Sequence, residues 1–297
     1  MQNDVVIIGG AFSGLAAATY LARARRRVCV IDAGQPRNRF AKASHGFLGS
    51  DGSDPAAILA RAREQLAAYP GVTMVAGEAV GARAVGDGFV VSLSSGEEIA
   101  ASKAILAFGL RDSLEPMPGL QERWGKSVLH CPYCHGFEFI DRPLGVLART
   151  PMSVHQACLV AEWGPTTLFL NGVELEQKSA EPLARHGVTI EPRKIKRLVG
   201  EGCALSAVEL EDGSQRPVAA LYVAPQSSLS SPIAMQLGAA IDDGSVGPMI
   251  RTDADRMTTV PGLYAAGDIA RARHSVSWAV ADGVTAGTSV HRALVFG

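Results

Sequence analysis

The sequence predicts an α/β protein made of two Rossmann-like, three-layer nucleotide-binding domains, the second inserted into the first. Three observations carry this prediction. Residues 5–31 read as strand, glycine turn, helix and strand; residues 144–170 repeat that pattern with a turn that has lost its glycines; and residues 262–292 bring an apolar strand ending in Gly-Asp ahead of a long helix. The expected bounds are 1–113 with 243–297 for the discontinuous first domain and 114–242 for the insert. A chain of 297 residues with 47% hydrophobic residues can fill one large or two medium cores.

In the first unit Val5-Val6-Ile7-Ile8 is an apolar strand, residues 15–26 form a helix, and Val28-Cys29-Val30-Ile31 is a second strand closed by Asp32. The turn between them reads G-x-A-x-x-G over Gly9, Ala11 and Gly14, with Phe12 and Ser13 inside it. Gly9 permits the tight turn and Gly14 permits close helix–strand packing. The helix N-terminus can receive a pyrophosphate, and Asp32, 18 positions past Gly14, can accept from an adenosine ribose. Ala11 stands where a middle glycine is usual, which raises the steric cost of backbone approach. The basic run over residues 23–27 is expected at the end of this helix, where cations complement the dipole.

In the middle unit Leu144-Gly145-Val146-Leu147 is a strand, 151–162 a helix and 166–170 the next strand. The turn is Ala148-Arg149-Thr150-Pro151-Met152-Ser153, and Phe169-Leu170-Asn171-Gly172 is not followed by arginines placed for a 2′-phosphate. A nucleotide-binding fold is expected here without its nicotinamide site. Near the C-terminus Gly262-Leu263-Tyr264-Ala265-Ala266-Gly267-Asp268 precedes a helix over 275–292. Gly267 and Asp268 beneath that helix can hold a ribityl chain and a flavin edge.

Between these units lies Cys131-Pro132-Tyr133-Cys134-His135-Gly136. A C-x-x-C beside a nucleotide-binding βαβ pattern reads as a redox pair. Zinc would need four ligands, and His130 and His135 flank the cysteines too closely to complete a tetrahedral set; no metal is expected. Cys29 and Cys158 read as buried small hydrophobes, and Cys203, in a glycine-flanked loop, has no assigned role. Attack on a disulfide needs a thiolate, so a nearby base matters, and His135 is the first candidate.

Lys+Arg 28 against Asp+Glu 29 gives a net charge of -1, which argues against nucleic acid as a partner. No basic leader precedes the first strand, and no apolar run approaches the roughly 20 residues that span a bilayer. A cytoplasmic protein without a membrane partner is expected. In that compartment a close cysteine pair is more often catalytic than structural.

The order of these motifs resembles the low-molecular-weight thioredoxin reductases. The CPYCHG motif, with residues 123–138 around it, is more similar to the branch of dithiol oxidases of gliotoxin and holomycin biosynthesis. Asp32-Ala33-Gly34-Gln35-Pro36-Arg37-Asn38 and Ser44-His45-Gly46-Phe47-Leu48 support this. The resemblance implies an enzyme with FAD, a homodimer and a dithiol–flavin relay, in which Cys134 exchanges electrons with the flavin and Cys131 faces the substrate. It implies FAD contacts at Ala33, Gly34, Arg37, Asn38, Ala107 and Gly109, a contact at His45 in the FAD-proximal loop, and His130 as a second candidate base. His274, with the amides of Ser275 and Val276, is expected to stabilise the reduced flavin. Typical reductases carry Asp where His135 stands here, and carry the glycine-rich NADPH loop that residues 148–153 lack.

The expected function is therefore FAD-dependent oxidation of a small dithiol by oxygen, without NADPH. The alternative is a disulfide reductase acting on a thioredoxin-like protein and fed by NAD(P)H, a ferredoxin-like donor or a second flavin. A redox sensor that holds FAD without turnover is the non-enzymatic reading.

Overall fold

The structure is a computed structural model that describes residues 3–244 and 246–297. The chain opens with β1 (Asn3–Ile8), α1 (Phe12–Arg23), β2 (Val28–Asp32), α2 (Pro55–Ala67), β3 (Val72–Ala76), β4 (Ala79–Val85), β5 (Gly88–Leu93), β6 (Glu98–Leu106) and β7 (Leu110–Ser113). It continues through β8 (Val128–Leu129), α3 (Pro132–His135), β9 (Leu144–Leu147), α4 (Met152–Val160), β10 (Thr166–Phe169), α5 (Ala180–Arg185), β11 (Thr189–Glu191), β12 (Ile195–Val199), β13 (Ala207–Leu210), β14 (Gln215–Pro217) and β15 (Ala220–Val223). It closes with β16 (Gln226–Leu229), α6 (Ile233–Gln236), β17 (Ile241–Gly244), β18 (Gly247–Ile250), β19 (Leu263–Ala265) and α7 (Val276–Phe296).

Two compact units emerge. One holds the residues up to Arg39, Pro55–Asp112 and Ser227–Gly297; the other holds Phe40–Asp54 and Ser113–Gln226. These bounds differ from those expected. Residues 40–54 join the insert, where Phe40 packs so closely on Gly125 that a Cβ there would lie 2.7 Å from Phe40 Cβ. Residues 227–242 join the first unit because Ile233 and Ala234 of α6 are buried in its core.

In the first unit the sheet order is β3-β2-β1-β6-β5-β4, with β19 also on β6. β6 serves three neighbours: β1 lies parallel along one edge, while the other edge takes β5 antiparallel near its start and β19 parallel near its end. The central strands are buried on both faces, as parallel sheets require. Val5, Ile7, Val28 and Val30 pack with α1, α2 and α7. Val6, Ile8, Cys29 and Ile31 face the β4–β5 hairpin and α6.

The second unit has a fully parallel sheet, β11-β10-β9-β15-β8. One face packs on α4 and α5 through Ala157, Val160 and Leu183. The other packs on the antiparallel β12-β13-β14 sheet through Leu198, Val208 and Leu210. This matches the three-layer expectation for each unit.

Some element ends move. α1 stops at Arg23 rather than running through 26, because Arg25 takes φ 61, a left-handed conformation that ends the helix. The basic run therefore does not sit together on the helix dipole; Arg27 instead pairs with Asp4 at 2.9 Å. α4 is shorter than expected at both ends, and α7 extends to Phe296. Cys29 is buried, whereas Cys158 is only partly so. Among the described residues no helix is long and apolar enough to cross a membrane.

Glu191 ties the insert together. Its buried carboxylate accepts from Arg193 Nε and Nη2, both at 2.7 Å, and from Arg216 Nε at 2.8 Å. The Arg193 hydrogen bonds chiefly pull its pKa down to about 2 from 4.5, against the opposing effect of burial. A depressed folded-state pKa contributes stability above the unfolded value and loses it as pH falls. The melting-temperature gap between wild type and Glu191→Gln is therefore expected to be widest at neutral pH and to close as pH falls from about 4.5 towards about 2. A gap that does not change across that window would contradict this.

Candidate functional site

The first unit builds a dinucleotide cradle at the C-terminal ends of β1, β2 and β19. Gly9 has φ +111, and a Cβ there would sit 2.3 Å from Ala107 O. A Cβ on Gly14 would meet Gly9 O at 1.8 Å. Neither position accepts a side chain, so the backbone approach that a pyrophosphate needs is built in. Ala11 sits at φ -99, a region open to any residue, and so the replacement of the middle glycine is tolerated. As N-cap it offers no side-chain oxygen to the first turn of α1, where Phe12 and Ser13 lie; that end of the helix is suited to an anion.

Asp32 ends β2 and is already engaged. Its Oδ1 accepts from Gly34 N at 3.1 Å and its Oδ2 from Arg63 Nη2 at 2.9 Å. Arg63 also donates to Gly10 O at 3.0 Å, linking the acid to the glycine turn. Nothing in the alternating Ala-Arg pattern of α2 distinguished Arg63 in the sequence.

Arg37 is the centre of a second polar group. It makes a two-pronged pair with Asp112, Nε to Oδ2 at 2.8 Å and Nη2 to Oδ1 at 2.7 Å. Its Nη1 lies 2.9 Å from Asp268 Oδ2 and 2.8 Å from His274 Nδ1. Ser227 Oγ donates to Asp112 Oδ1 at 2.7 Å. A guanidinium only donates, so His274 Nδ1 must accept, and its Nε2–H then donates to Arg271 O at 3.1 Å. Burial, with the Arg37 charge acting the same way and Asp268 against it, lowers the His274 pKa. The ring is thus neutral in this arrangement. Positive charge beside Asp268 comes from Arg37. At the start of α7, Ser275 Oγ accepts from Trp278 N at 3.1 Å, and Val276 begins the 21-residue helix whose dipole favours negative charge there. Gly267 takes φ 84 as the chain turns into Asp268. Asp112 and Ser227 had no motif to mark them; only the fold brings them to Arg37. The glycine cradle, the acid ending β2 and the Gly-Asp before α7 fit an FAD. Ala33, Asn38 and Gly109 lie in this unit too.

The second unit carries the dithiol. Cys131 is the N-cap of the short α3, with Pro132 at its first position. The Cys131 pKa is lowered, first by a hydrogen bond from the Cys134 thiol and further by the backbone N–H groups of Cys134 and Tyr133, against burial. The thiolate is therefore favoured by α3 itself as well as by any neighbouring base. Tyr222, buried on β15, donates to His135 O at 3.3 Å and pins the motif from beneath. Tyr133 stacks edge-on against Trp163 with centroids 5.7 Å apart.

His135 is half-buried beside Glu138 and His45. Burial lowers its pKa, Glu138 raises it and His45 lowers it again, so a neutral imidazole able to accept a proton is favoured. His130 lies on the other side of the cysteines in sequence. Its Nδ1 is 3.3 Å from Val223 O, which makes Nδ1 the protonated nitrogen and Nε2 the basic one. His45 belongs to this unit through the 40–54 loop. It contacts Asp51, Glu138 and His135 there.

The turn between β9 and α4 is closed from within. Ser153, 2% exposed, accepts through Oγ from Arg149 N at 3.0 Å and from Thr150 N at 3.3 Å. Arg149 Nε pairs with Glu115 at 3.0 Å, and its Nη1 reaches Ala224 O at 3.4 Å. The Arg149 and Thr150 amides and the Arg149 guanidinium are thus engaged within the protein.

The pattern of the family described as pyridine nucleotide-disulphide oxidoreductase matches residues 3–283. The thioredoxin reductase sirT of Leptosphaeria maculans is 32% identical, over 97% of this chain and 93% of its own. The thioredoxin reductase tcpT of Claviceps purpurea is 32% identical over 96% and 92%. Among solved structures, an oxidoreductase from Agrobacterium tumefaciens superposes with a TM-score of 0.95 at 42% identity, over 100% of this chain and 99% of its own.

Gly14→Ala is expected to strip FAD from the protein, since its Cβ would fall on Gly9 O, whereas Ala11→Gly keeps it. The flavin-to-protein absorbance ratio after gel filtration is the check. Full FAD content in folded Gly14→Ala would refute the cradle.

Proposed function

The chain belongs to the pyridine nucleotide-disulphide oxidoreductase family, in its thioredoxin reductase-like, gliotoxin-type branch, and from that premise we propose that it oxidises a small dithiol to a disulfide with oxygen as acceptor and without NADPH. Its cofactor is FAD, which the enzymes of this family bind. Gly9, Ala11, Gly14 and Asp32 would hold the adenosine diphosphate half, and Gly267, Asp268 and the start of α7 the flavin half. Bound there, FAD would supply the two-electron redox centre between the protein dithiol and oxygen.

The protein's own steps follow from thiol chemistry. A substrate thiolate attacks Cys131 Sγ of the Cys131–Cys134 disulfide, an S–S bond forms, and Cys134 leaves as thiolate. The second substrate thiol, deprotonated, attacks its partner sulfur, closes the substrate disulfide and releases Cys131 as thiolate. The backbone N–H groups of Tyr133 and Cys134 stabilise Cys131 as leaving group. His135 accepts the substrate proton, with His130 Nε2 as a second acceptor. The net change is dithiol plus O₂ to disulfide plus H₂O₂. A homodimer is part of this reading.

The observation that carries the NADPH-independent half is Ser153 Oγ on the Arg149 and Thr150 amides. A phosphate needs those donors and would have to displace a buried hydroxyl. One observation favours the reductase alternative: a cavity of about 750 Å³ adjoins this turn, lined by Val154, Leu159, Leu170 and Pro182 among others. A nicotinamide or second flavin there would feed electrons towards a thioredoxin-like protein.

Under anaerobic conditions a simple dithiol is expected to bleach the flavin, and air to restore it with one H₂O₂ per disulfide formed. A flavin that stays oxidised under excess dithiol would remove the oxidase reading. Cys131→Ser and Cys134→Ser are each expected to abolish turnover. His135→Ala is expected to lower it about 10²–10⁴-fold while FAD stays bound. Turnover surviving in either cysteine variant, or a wild-type rate in His135→Ala, would contradict the assigned roles.

A further inference from the structure

Three potential ligands from two separate stretches of the second unit converge beside the dithiol. The imidazoles of His45 and His135 and the carboxylate of Glu138 each present a donor atom, and all these atoms lie within 4.8 Å of one another. His45 Nε2 and Glu138 Oε1 are 3.3 Å apart. Bonds of about 2.0–2.1 Å at tetrahedral angles put neighbouring ligand atoms about 3.4 Å apart, so this pair already has the spacing of one edge of a zinc site. The two rings stand edge to face at 89°, with centroids 6.0 Å apart. Glu138 is exposed, so its carboxylate is free to adjust to an ion.

An outer carboxylate is also present. Asp51 Oδ1 lies 3.6 Å from His45 Nδ1 and is held by Gly46 N at 2.7 Å. A carboxylate drawn onto Nδ1 favours the proton there and leaves Nε2, the nitrogen facing Glu138, to bind a metal. Two imidazoles and a carboxylate suit a borderline ion such as Zn²⁺ over Mg²⁺ or Ca²⁺.

We propose that His45, His135 and Glu138 form a Zn²⁺-binding site, oriented by Asp51, whose occupancy withdraws His135 from proton transfer. A metal-bound nitrogen has no lone pair left for a thiol proton, so zinc acts as an inhibitor. That consequence rests on His135 being the proton acceptor; the site itself does not. His45 lies about 90 positions before His135, and only the packing of residues 40–54 with the second unit brings the two together.

The test is calorimetric titration of Zn²⁺ into the FAD-loaded enzyme with its disulfide oxidised, so that the cysteines do not compete. One Zn²⁺ per chain is expected. His45→Ala and Glu138→Gln should each weaken binding by more than tenfold, and Asp51→Asn by about 10–100-fold. The Cys131→Ser/Cys134→Ser double variant should bind as wild type does. Saturating Zn²⁺ should protect His45 and His135 from carbethoxylation while the exposed His155 and His186 continue to react. Unchanged affinity in folded Glu138→Gln and His45→Ala, or affinity lost with the cysteines, would overturn the site. Full reactivity of His135 in the zinc-loaded enzyme would overturn its withdrawal. Neither readout depends on turnover, so failure here is separate from failure of the oxidase reading.

Discussion

Which group takes the N–H donors at a strand-to-helix turn decides what each half of this molecule can bind. At the turn after β1, glycines bring backbone to backbone and Ala11 offers no capping oxygen. At the turn after β9, Ser153 Oγ takes the amides of Arg149 and Thr150. The two parallel sheets are alike in their strand-to-helix connections, yet one turn is open to a phosphate and the other is occupied by the protein itself. The reading of the protein as a dithiol-driven enzyme follows from that contrast.

The chemistry of the dithiol depends on local structure in the same way. α3 is one turn long, but it starts at Pro132 and so aims its first amides at Cys131. Together with the Cys134 thiol they favour the thiolate despite burial. The neighbouring imidazole is kept neutral mainly by desolvation. A stabilised thiolate and a neutral acceptor are what thiol–disulfide exchange needs near neutral pH. Around Asp268 the arrangement is different. Arg37 is held by Asp112 and Ser227, and its charge is matched by Asp112 and Asp268 in a partly buried network.

The parts legible in the sequence were those set by short-range pattern. Val5-Val6-Ile7-Ile8, Gly9, Gly14 and Asp32 follow from strand period, turn sterics and the strand-ending acid, and the cysteine pair follows from its spacing. The absence of glycines at 148–153 is legible in the sequence, whereas the Ser153 Oγ contacts that fill the turn are not. What escaped were contacts between residues far apart in the chain. Arg63 meets Asp32 across 31 positions, Ser227 meets Asp112 across 115, and His45 meets Glu138 because residues 40–54 belong to the second unit. Each side chain is unremarkable in its own segment and gains meaning only from tertiary placement. His274 shows the same limit: its position after Gly-Asp marked it, but its neutral state follows only from its partners Arg37 and Arg271.

The central claim is that the turn after β9 does not admit a pyridine nucleotide. Anaerobic stopped-flow reduction with saturating NADPH, run beside a simple dithiol on the same FAD-loaded protein, tests it most directly. The account predicts that dithiol reduces the flavin and NADPH leaves it oxidised. Reduction by NADPH at a rate matching turnover would contradict it and give the reductase reading first place.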